Sequence, residues 1–298
     1  MYKVQSDLRA RGAAEKMNIG NITKTEIKKL IHRRAEVSHK GDFGKVLIIA
    51  GCAGMAGAAI LCGSAAVRTG AGLTRFYAPE EIIPILQVSV PEATCIKREE
   101  KIANFSDYDA VAIGPGLGKR KENIELIDEL MKNYQGTLVI DADGINAIAA
   151  DGDAEKIKSA CCKVILTPHR GEAARLLGCD TDELPDDRFR LAEMLRIKTG
   201  ATVTVKGAGT VVIDPDGFML INTTGTPGLA KGGSGDILTG MITALAGQGL
   251  TPFEAAASGV FLHGYAGELA EKNYGQYGMA GSDVVMNIGP AIKEIIGV

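Results

Sequence analysis

Short apolar runs alternate with helix-length segments along most of this 298-residue chain, and that rhythm constrains the fold more than any other feature. Residues 46–50 (VLIIA), 110–113 (AVAI), 138–140 (LVI), 164–166 (VIL) and 203–205 (VTV) are almost wholly apolar or β-branched. Runs without polar alternation suit strands buried on both faces, as in a parallel sheet covered by helices. Periodic segments follow them at 56–69, 119–134, 144–150, 171–178 and 186–199. The order is that of a doubly wound α/β fold. One stretch breaks it: 210–214 and 218–222 flank Pro215-Asp216-Gly217, which predicts an antiparallel hairpin. A C-terminal helical run follows at 233–246, 252–273 and 281–296. With neither a repeat nor a linker, a single domain is expected over 25–298. Residues 1–24, polar and without clear periodicity, read as a leader or a flexible N-terminal arm.

Glycine supplies the second signal. Half of the 38 glycines lie in four stretches, 41–72, 114–118, 207–209 and 225–240, each beside a predicted strand. Glycine is favoured where backbone must approach a ligand or take positive φ. The C-terminal ends of strands are where ligands bind in open α/β sheets.

Composition narrows the function classes. The net charge is -3, with no basic stripe, and tryptophan is absent. A dedicated nucleic-acid surface is therefore not expected. No apolar run reaches the roughly 18 residues that would suggest a membrane span, and no signal core opens the chain. The six cysteines form no C-x-x-C pair, so they read as reduced thiols of a cytoplasmic protein.

The sharpest candidate is 225–236, GTPGLAKGGSGD, which leads into an apolar helix. Glycines at a helix N-terminus leave N–H groups free for an anion such as phosphate. Asp236 falls in the first turn. It reads either as a dipole-favoured carboxylate or as a base that takes a proton from an attacking hydroxyl. Lys231 suits either phosphate or solvent. Gly51-Cys-Ala-Gly54-Met-Ala-Gly57-Ala58 has Rossmann-like glycines at the wrong spacing, so a packing role stands beside a ligand role. Gly114-Pro115-Gly116-Leu117-Gly118 opens a helix. Lys206-Gly207-Ala208-Gly209-Thr210 is either a turn or a border for a nucleotide. Thr167-Pro168-His169-Arg170-Gly171-Glu172 makes His169 the most informative histidine; His32, His39 and His263 have no comparable context. Asp141-Ala142-Asp143 suits a hydrated magnesium ion or a helix cap. No Walker A sequence occurs.

Taken in order, KGDFGKVLIIAGCAGMAGAAIL, AIGPGLG, VIDADGINAI, ILTPHRGEAARLLG, VTVKGAGTVV and GLAKGGSGDILTGMI resemble the ADP/ATP-dependent NAD(P)H-hydrate dehydratases. The resemblance runs from about residue 25 to 298. It implies a ribokinase-like, three-layer α/β/α fold with a mostly parallel sheet. It implies phosphorylation of the ring hydroxyl of NADH hydrate or NADPH hydrate by ADP or ATP with Mg2+, then loss of phosphate. Ala58, Gly116, His169 and Asp236 would border the hydrate, with Asp236 as catalytic base. Lys206, Gly207, Ala208, Gly209, Thr210 and Gly235 would contact the nucleotide. No protein-held metal ligands are implied. A homotetramer is expected, as is an epimerase on a separate chain or domain. The chain departs from the family pattern at Arg170, where proline is commoner, and at Ser234, where threonine is. Two other readings share the glycine-rich loop: a ribokinase-like kinase of a small alcohol, and a non-catalytic nucleotide-binding module.

Overall fold

A computed structural model describes residues 19–297 apart from 101 and 103. In chain order the main elements are β1 (Ile19–Asn21), α1 (Lys24–Leu30), β2 (Lys45–Ile49), α2 (Ala56–Arg68), β3 (Leu73–Ala78), α3 (Ile83–Ser89) and β4 (Thr94–Lys97). Then come β5 (Ala110–Ile113), α4 (Glu122–Asn133), β6 (Thr137–Ile140), α5 (Ala142–Asp151), β7 (Lys163–Leu166), α6 (Arg170–Leu177) and α7 (Arg188–Thr199). The rest is β8 (Thr202–Val205), β9 (Val211–Ile213), β10 (Met219–Ile221), α8 (Ser234–Gly247), α9 (Pro252–Gly278) and α10 (Gly281–Ile296).

The ten strands form one sheet in the order β1-β10-β9-β8-β7-β6-β5-β2-β3-β4. All neighbours are parallel except β8–β9 and β9–β10. The strand 19–21 lies inside the stretch expected to be an arm. It pairs with β10, and Ile22 after it is buried, so the ordered sheet begins before residue 25. Residues 1–18 lie outside the described residues.

Period-two side-chain alternation explains why the central strands are apolar throughout. Val46 and Ile48 face one core, with α2, α8, α9 and α10, while Leu47 and Ile49 face the other, with α4 to α7. Ala110 and Ala112 against Val111 and Ile113 divide in the same way. Every position of β5, β6 and β8 is buried.

Not all of the clustered glycine serves ligands. A Cβ on Gly240 of α8 would overlap the carbonyl oxygen of Cys62 in α2, and one on Gly63 would overlap the Phe76 ring. Gly240 lets α2 and α8 pack backbone against backbone, and Gly63 lets α2 lie against Phe76 of β3. Gly240→Ala is expected to lower stability by about 1–3 kcal/mol through overpacking. A thermal melt unchanged from wild type would contradict that reading of the α2–α8 contact.

Candidate active site

Strand order reverses at β2. The chain runs β2-β3-β4 to one side, then returns to place β5-β6-β7-β8 on the other. Crevices at such switch points are where open α/β sheets bind ligands. The loops after β2 and β5 meet there: the Gly51 N–H donates to the Pro115 carbonyl at 2.8 Å. Gly116 takes φ 58°, and a Cβ on it would sit 2.8 Å from that of Ala58. The two expected hydrate-border residues, Gly116 on the β5 loop and Ala58 in the first turn of α2, are therefore adjacent.

Next along the edge, Asp141 follows β6. Ala142 has φ 47° and is the only non-glycine residue with positive φ among the described residues. A strained residue of this kind persists only where its surroundings hold it. Here the Gly144 N–H binds the Asp141 carbonyl at 2.9 Å, and the Gly118 N–H binds Asp143 Oδ2 at 2.8 Å.

A buried charge network lies at the centre. Lys206 Nζ is 2.6 Å from Asp141 Oδ1 and 3.7 Å from Glu172 Oε2. Asp141 Oδ2 accepts the Thr239 hydroxyl at 2.7 Å. Burial alone would favour neutral Lys206, but Asp141 and Glu172 outweigh it and hold its pKa above the usual lysine range. Burial raises the Glu172 carboxyl, with Lys206 opposing. The first turn of α8 rests on this network: a Cβ on Gly235 would lie 3.1 Å from Lys206 Nζ and 3.6 Å from Asp141 Oδ2.

Asp236 stands in that first turn. Burial pushes its pKa up to about 7; the Asp141 charge adds to the shift and Lys206 opposes it. Its neighbour Gly233 has φ 91°, and no side chain caps the helix start. The first N–H groups of α8 are thus left for an anion. Such a carboxylate can take a proton near neutral pH, beside donors suited to a phosphoryl group.

His169 sits at the N-cap of α6. Its Nδ1 accepts the Gly171 and Glu172 N–H groups, and Nε2 lies 3.2 Å from Glu172 Oε1. The ring is half exposed and tied to the central network through Glu172. The Lys206 N–H donates to the Pro168 carbonyl at 2.9 Å, joining the β7 and β8 loops. Thr210 Oγ1 closes the Gly207–Thr210 turn by donating to the Gly207 carbonyl at 2.8 Å.

Two side chains lead elsewhere. Lys231 Nζ donates to the Tyr277 carbonyl at 2.8 Å and to that of Met279, anchoring the end of α9. Arg170 donates to the carbonyls of Thr181, Leu184 and Pro185, so its departure from the family pattern serves the loop before α7. Asp141 does not offer free oxygens for magnesium: one binds Lys206 and the other Thr239. Asp143 Oδ2 is likewise held by the Gly118 N–H. Among the described residues no group of three His, Cys, Asp or Glu side chains is placed for a metal ion.

Sequence reasoning missed three residues. Buried His263 lies 3.3 Å from Ser234 Oγ, and burial with the Lys206 charge lowers its pKa to about 4, so it is neutral at pH 7. Thr239 orients Asp141. Arg188 donates to the Ala208 carbonyl and lies over Gly207. None has a local motif; each acts through a partner 20 or more residues away.

Comparison with known proteins agrees with this geometry. The chain matches the NAD(P)H-hydrate dehydratase family over residues 46–289. It is 37% identical to a bifunctional NAD(P)H-hydrate repair enzyme of Moorella thermoacetica, across 92% of this chain and 54% of that one. It is 36% identical to an ADP-dependent (S)-NAD(P)H-hydrate dehydratase of Neisseria meningitidis, across 81% and 82% respectively. A Bacillus subtilis ADP/ATP-dependent NAD(P)H-hydrate dehydratase, co-crystallised with ATP/Mg2+, superposes with a TM-score of 0.85 at 30% identity. That match covers 94% of this chain and 99% of the other. The fold is the ribokinase-like, three-layer one that the sequence resemblance implies. The chain spans about half the length of the bifunctional relatives it matches. A crevice at the strand switch point, a carboxylate at the glycine-rich start of α8 and a match over residues 46–289 place this chain in the NAD(P)H-hydrate dehydratase family.

Proposed function

We propose that the protein restores hydrated NADH and NADPH to the normal dinucleotides, with ADP, ahead of ATP, as phosphoryl donor. The observation that carries this reading is Asp236: a carboxylate with its pKa raised to about 7, at an uncapped, glycine-rich helix start. In the reaction the ring hydroxyl attacks the terminal phosphorus of the nucleotide while Asp236 takes the hydroxyl proton. The hydroxyl becomes a phosphate ester, a better leaving group than hydroxide. The carbon–oxygen bond then breaks, phosphate departs with its electron pair, and a neighbouring ring proton is lost as the double bond re-forms.

The rest of the edge has matching roles. Gly235 and the other first-turn amides of α8 stabilise charge on the phosphoryl group in transit. Lys206, Gly207, Ala208, Gly209 and Thr210 border the nucleotide. Ala58, Gly116 and His169 border the hydrate. Mg2+ would come on the nucleotide phosphates, since both Asp141 oxygens are already bonded within the protein. When bound there it would neutralise phosphate charge.

The Moorella and Neisseria relatives support the substrate and the ADP preference respectively. On the same resemblance the protein works as a homotetramer, beside an epimerase on a separate chain or domain. All six cysteines are free thiols, and no described helix is long and apolar enough to cross a membrane. The free thiols support a place in the cytoplasm.

The test is to add ADP or ATP to hydrated NADH and follow recovery of the reduced-nicotinamide absorbance. Recovery with release of inorganic phosphate is expected, faster with ADP. Failure with both nucleotides would sink the proposal, and accumulation of a stable phosphorylated product would replace it with a kinase.

A further inference from the structure

Helix α9 is fastened along the glycine-rich loop that leads to Asp236. Asn222 Nδ2 donates to the Val260 carbonyl at 3.1 Å, and Thr224 Oγ1 to that of Phe261 at 2.8 Å. The Gly225 N–H donates to Glu268 Oε1 at 2.8 Å. A Cβ on Gly264 would overlap Thr224, so helix and loop meet at contact distance. His263 lies within this fastened stretch.

A buried polar ring is costly unless it is hydrogen-bonded. Among the described residues, the one side chain that bonds His263 is Ser234, with Nε2 3.3 Å from Oγ. The ring is 9% exposed, whereas Ser234, the first residue of α8, is half-buried. The pair therefore has a closed end and a more open one, two residues before Asp236 in the same turn.

Near neutral pH the ring carries a single proton, because burial and the Lys206 charge both disfavour the imidazolium. That proton sits on Nδ1 or on Nε2. The choice decides what Ser234 can do. A bare Nε2 would take the serine proton and leave only lone pairs for an incoming anion. A protonated Nε2 donates to Oγ instead, and the serine proton is free to point outward. Such a chain of two donors ends where the uncapped N–H groups of α8 already gather.

We propose that His263 is a positioning residue of the phosphoryl site: its Nε2–H donates to Ser234 Oγ and turns the serine hydroxyl toward the phosphoryl group in transit. No proton leaves either side chain. The proposal rests on the reading of the α8 start as a phosphoryl-transfer site.

The test uses four full-length variants: Ser234→Ala, His263→Gln, His263→Met and Ser234→Ala/His263→Met. Ser234→Ala should lower kcat about a hundredfold, as loss of one transition-state donor does, with KM for hydrate and for ADP within about twofold of wild type. His263→Met should match it. His263→Gln can place an amide N–H where Nε2–H stood, so it should recover most of kcat. The double variant should be no slower than Ser234→Ala alone, within about twofold. Full kcat in Ser234→Ala, glutamine no better than methionine, or losses that multiply in the double variant overturns the proposal. Should His263→Met fail to fold, the wild-type ring decides: nitrogen NMR of histidine-labelled protein should show His263 protonated at Nε2, and protonation at Nδ1 overturns the proposal. If the wild type turns over no hydrate with ADP or ATP, the activity reading fails instead. The same signal then decides the pair with inorganic phosphate as probe. A protonated Nε2 whose signal shifts on adding phosphate in wild type, but not in Ser234→Ala, supports it; no shift, or one that survives Ser234→Ala, overturns it.

Discussion

Asp236→Asn is expected to lower kcat by about a hundred- to ten-thousand-fold, the usual range for loss of a positioned general base. The asparagine keeps the size and sits on the same helix turn, so nucleotide binding should persist. In the proposed reaction the free wild-type enzyme must hold Asp236 ionised to accept the hydroxyl proton. With its pKa near 7, kcat/KM should climb as pH rises through that value and level off above it. Stability runs the opposite way. The aspartate titrates at 3.8 when unperturbed and at about 7 in the folded chain. Below 3.8 both states carry the proton and the residue contributes nothing. Between the two values only the folded chain keeps it, so stability falls as pH rises, and above 7 the whole penalty is present. Asparagine carries no charge to bury. The variant should therefore be more stable than wild type at pH 8, by about 1–3 kcal/mol once solvent relaxation around the partly exposed carboxylate is allowed for. That corresponds to a few degrees in Tm, with the difference vanishing near pH 4. Full activity in the variant would remove Asp236 from the reaction. A lower Tm at pH 8 would mean that the carboxylate stabilises the fold.

Burial explains which parts of this structure were legible in the sequence. The predicted runs at 46–50, 110–113, 138–140, 164–166 and 203–205 match β2, β5, β6, β7 and β8 to within a residue, because strands covered on both faces leave little polar interruption. The hairpin was visible from Pro215-Asp216-Gly217, although the antiparallel pairing extends further, to β8–β9. The strand 94–97 was not visible. It is an edge strand, half-buried, with the mixed sequence TCIK. Ile19–Asn21 is only three residues long and pairs with β10, 200 residues away in the chain, so no local pattern reveals it. The site divides in the same manner. Asp236 and Gly235 belong to one contiguous motif. The ion pair of Lys206 with Asp141 spans 65 residues, and the Thr239 bond to Asp141 spans 98. Nothing short of the fold brings them together. Glycine counting also overreached, since Gly63 and Gly240 fall inside the clusters yet serve helix packing.

Lys206→Met should be the most damaging single change to the fold. Methionine fits the space but leaves Asp141 and Glu172, 1% and 4% exposed, without their cation. Breaking a buried pair by removing one partner typically costs about 3–5 kcal/mol, because a charge is left uncompensated in a poor solvent. In a domain of this size each kcal/mol moves Tm by about 2–4 °C, so a fall of roughly ten degrees is expected near neutral pH. Acid should narrow the gap, since protonating the two carboxyls removes the charges that Lys206 would have balanced. The network also makes the loss specific. In Lys206→Met/Asp141→Asn, one stranded charge is gone and Thr239 can still bond the amide oxygen. That double variant should recover part of the stability, giving a coupling energy of about 1–3 kcal/mol in a double-mutant cycle. Activity should not return with it, because the loop proposed to border the nucleotide has lost its ammonium. A single variant melting with the wild type, or a double variant no more stable than the single, would show that Lys206 and Asp141 do not act as one buried unit. The first turn of α8 would then owe its placement to Gly233 and the α2 contact alone.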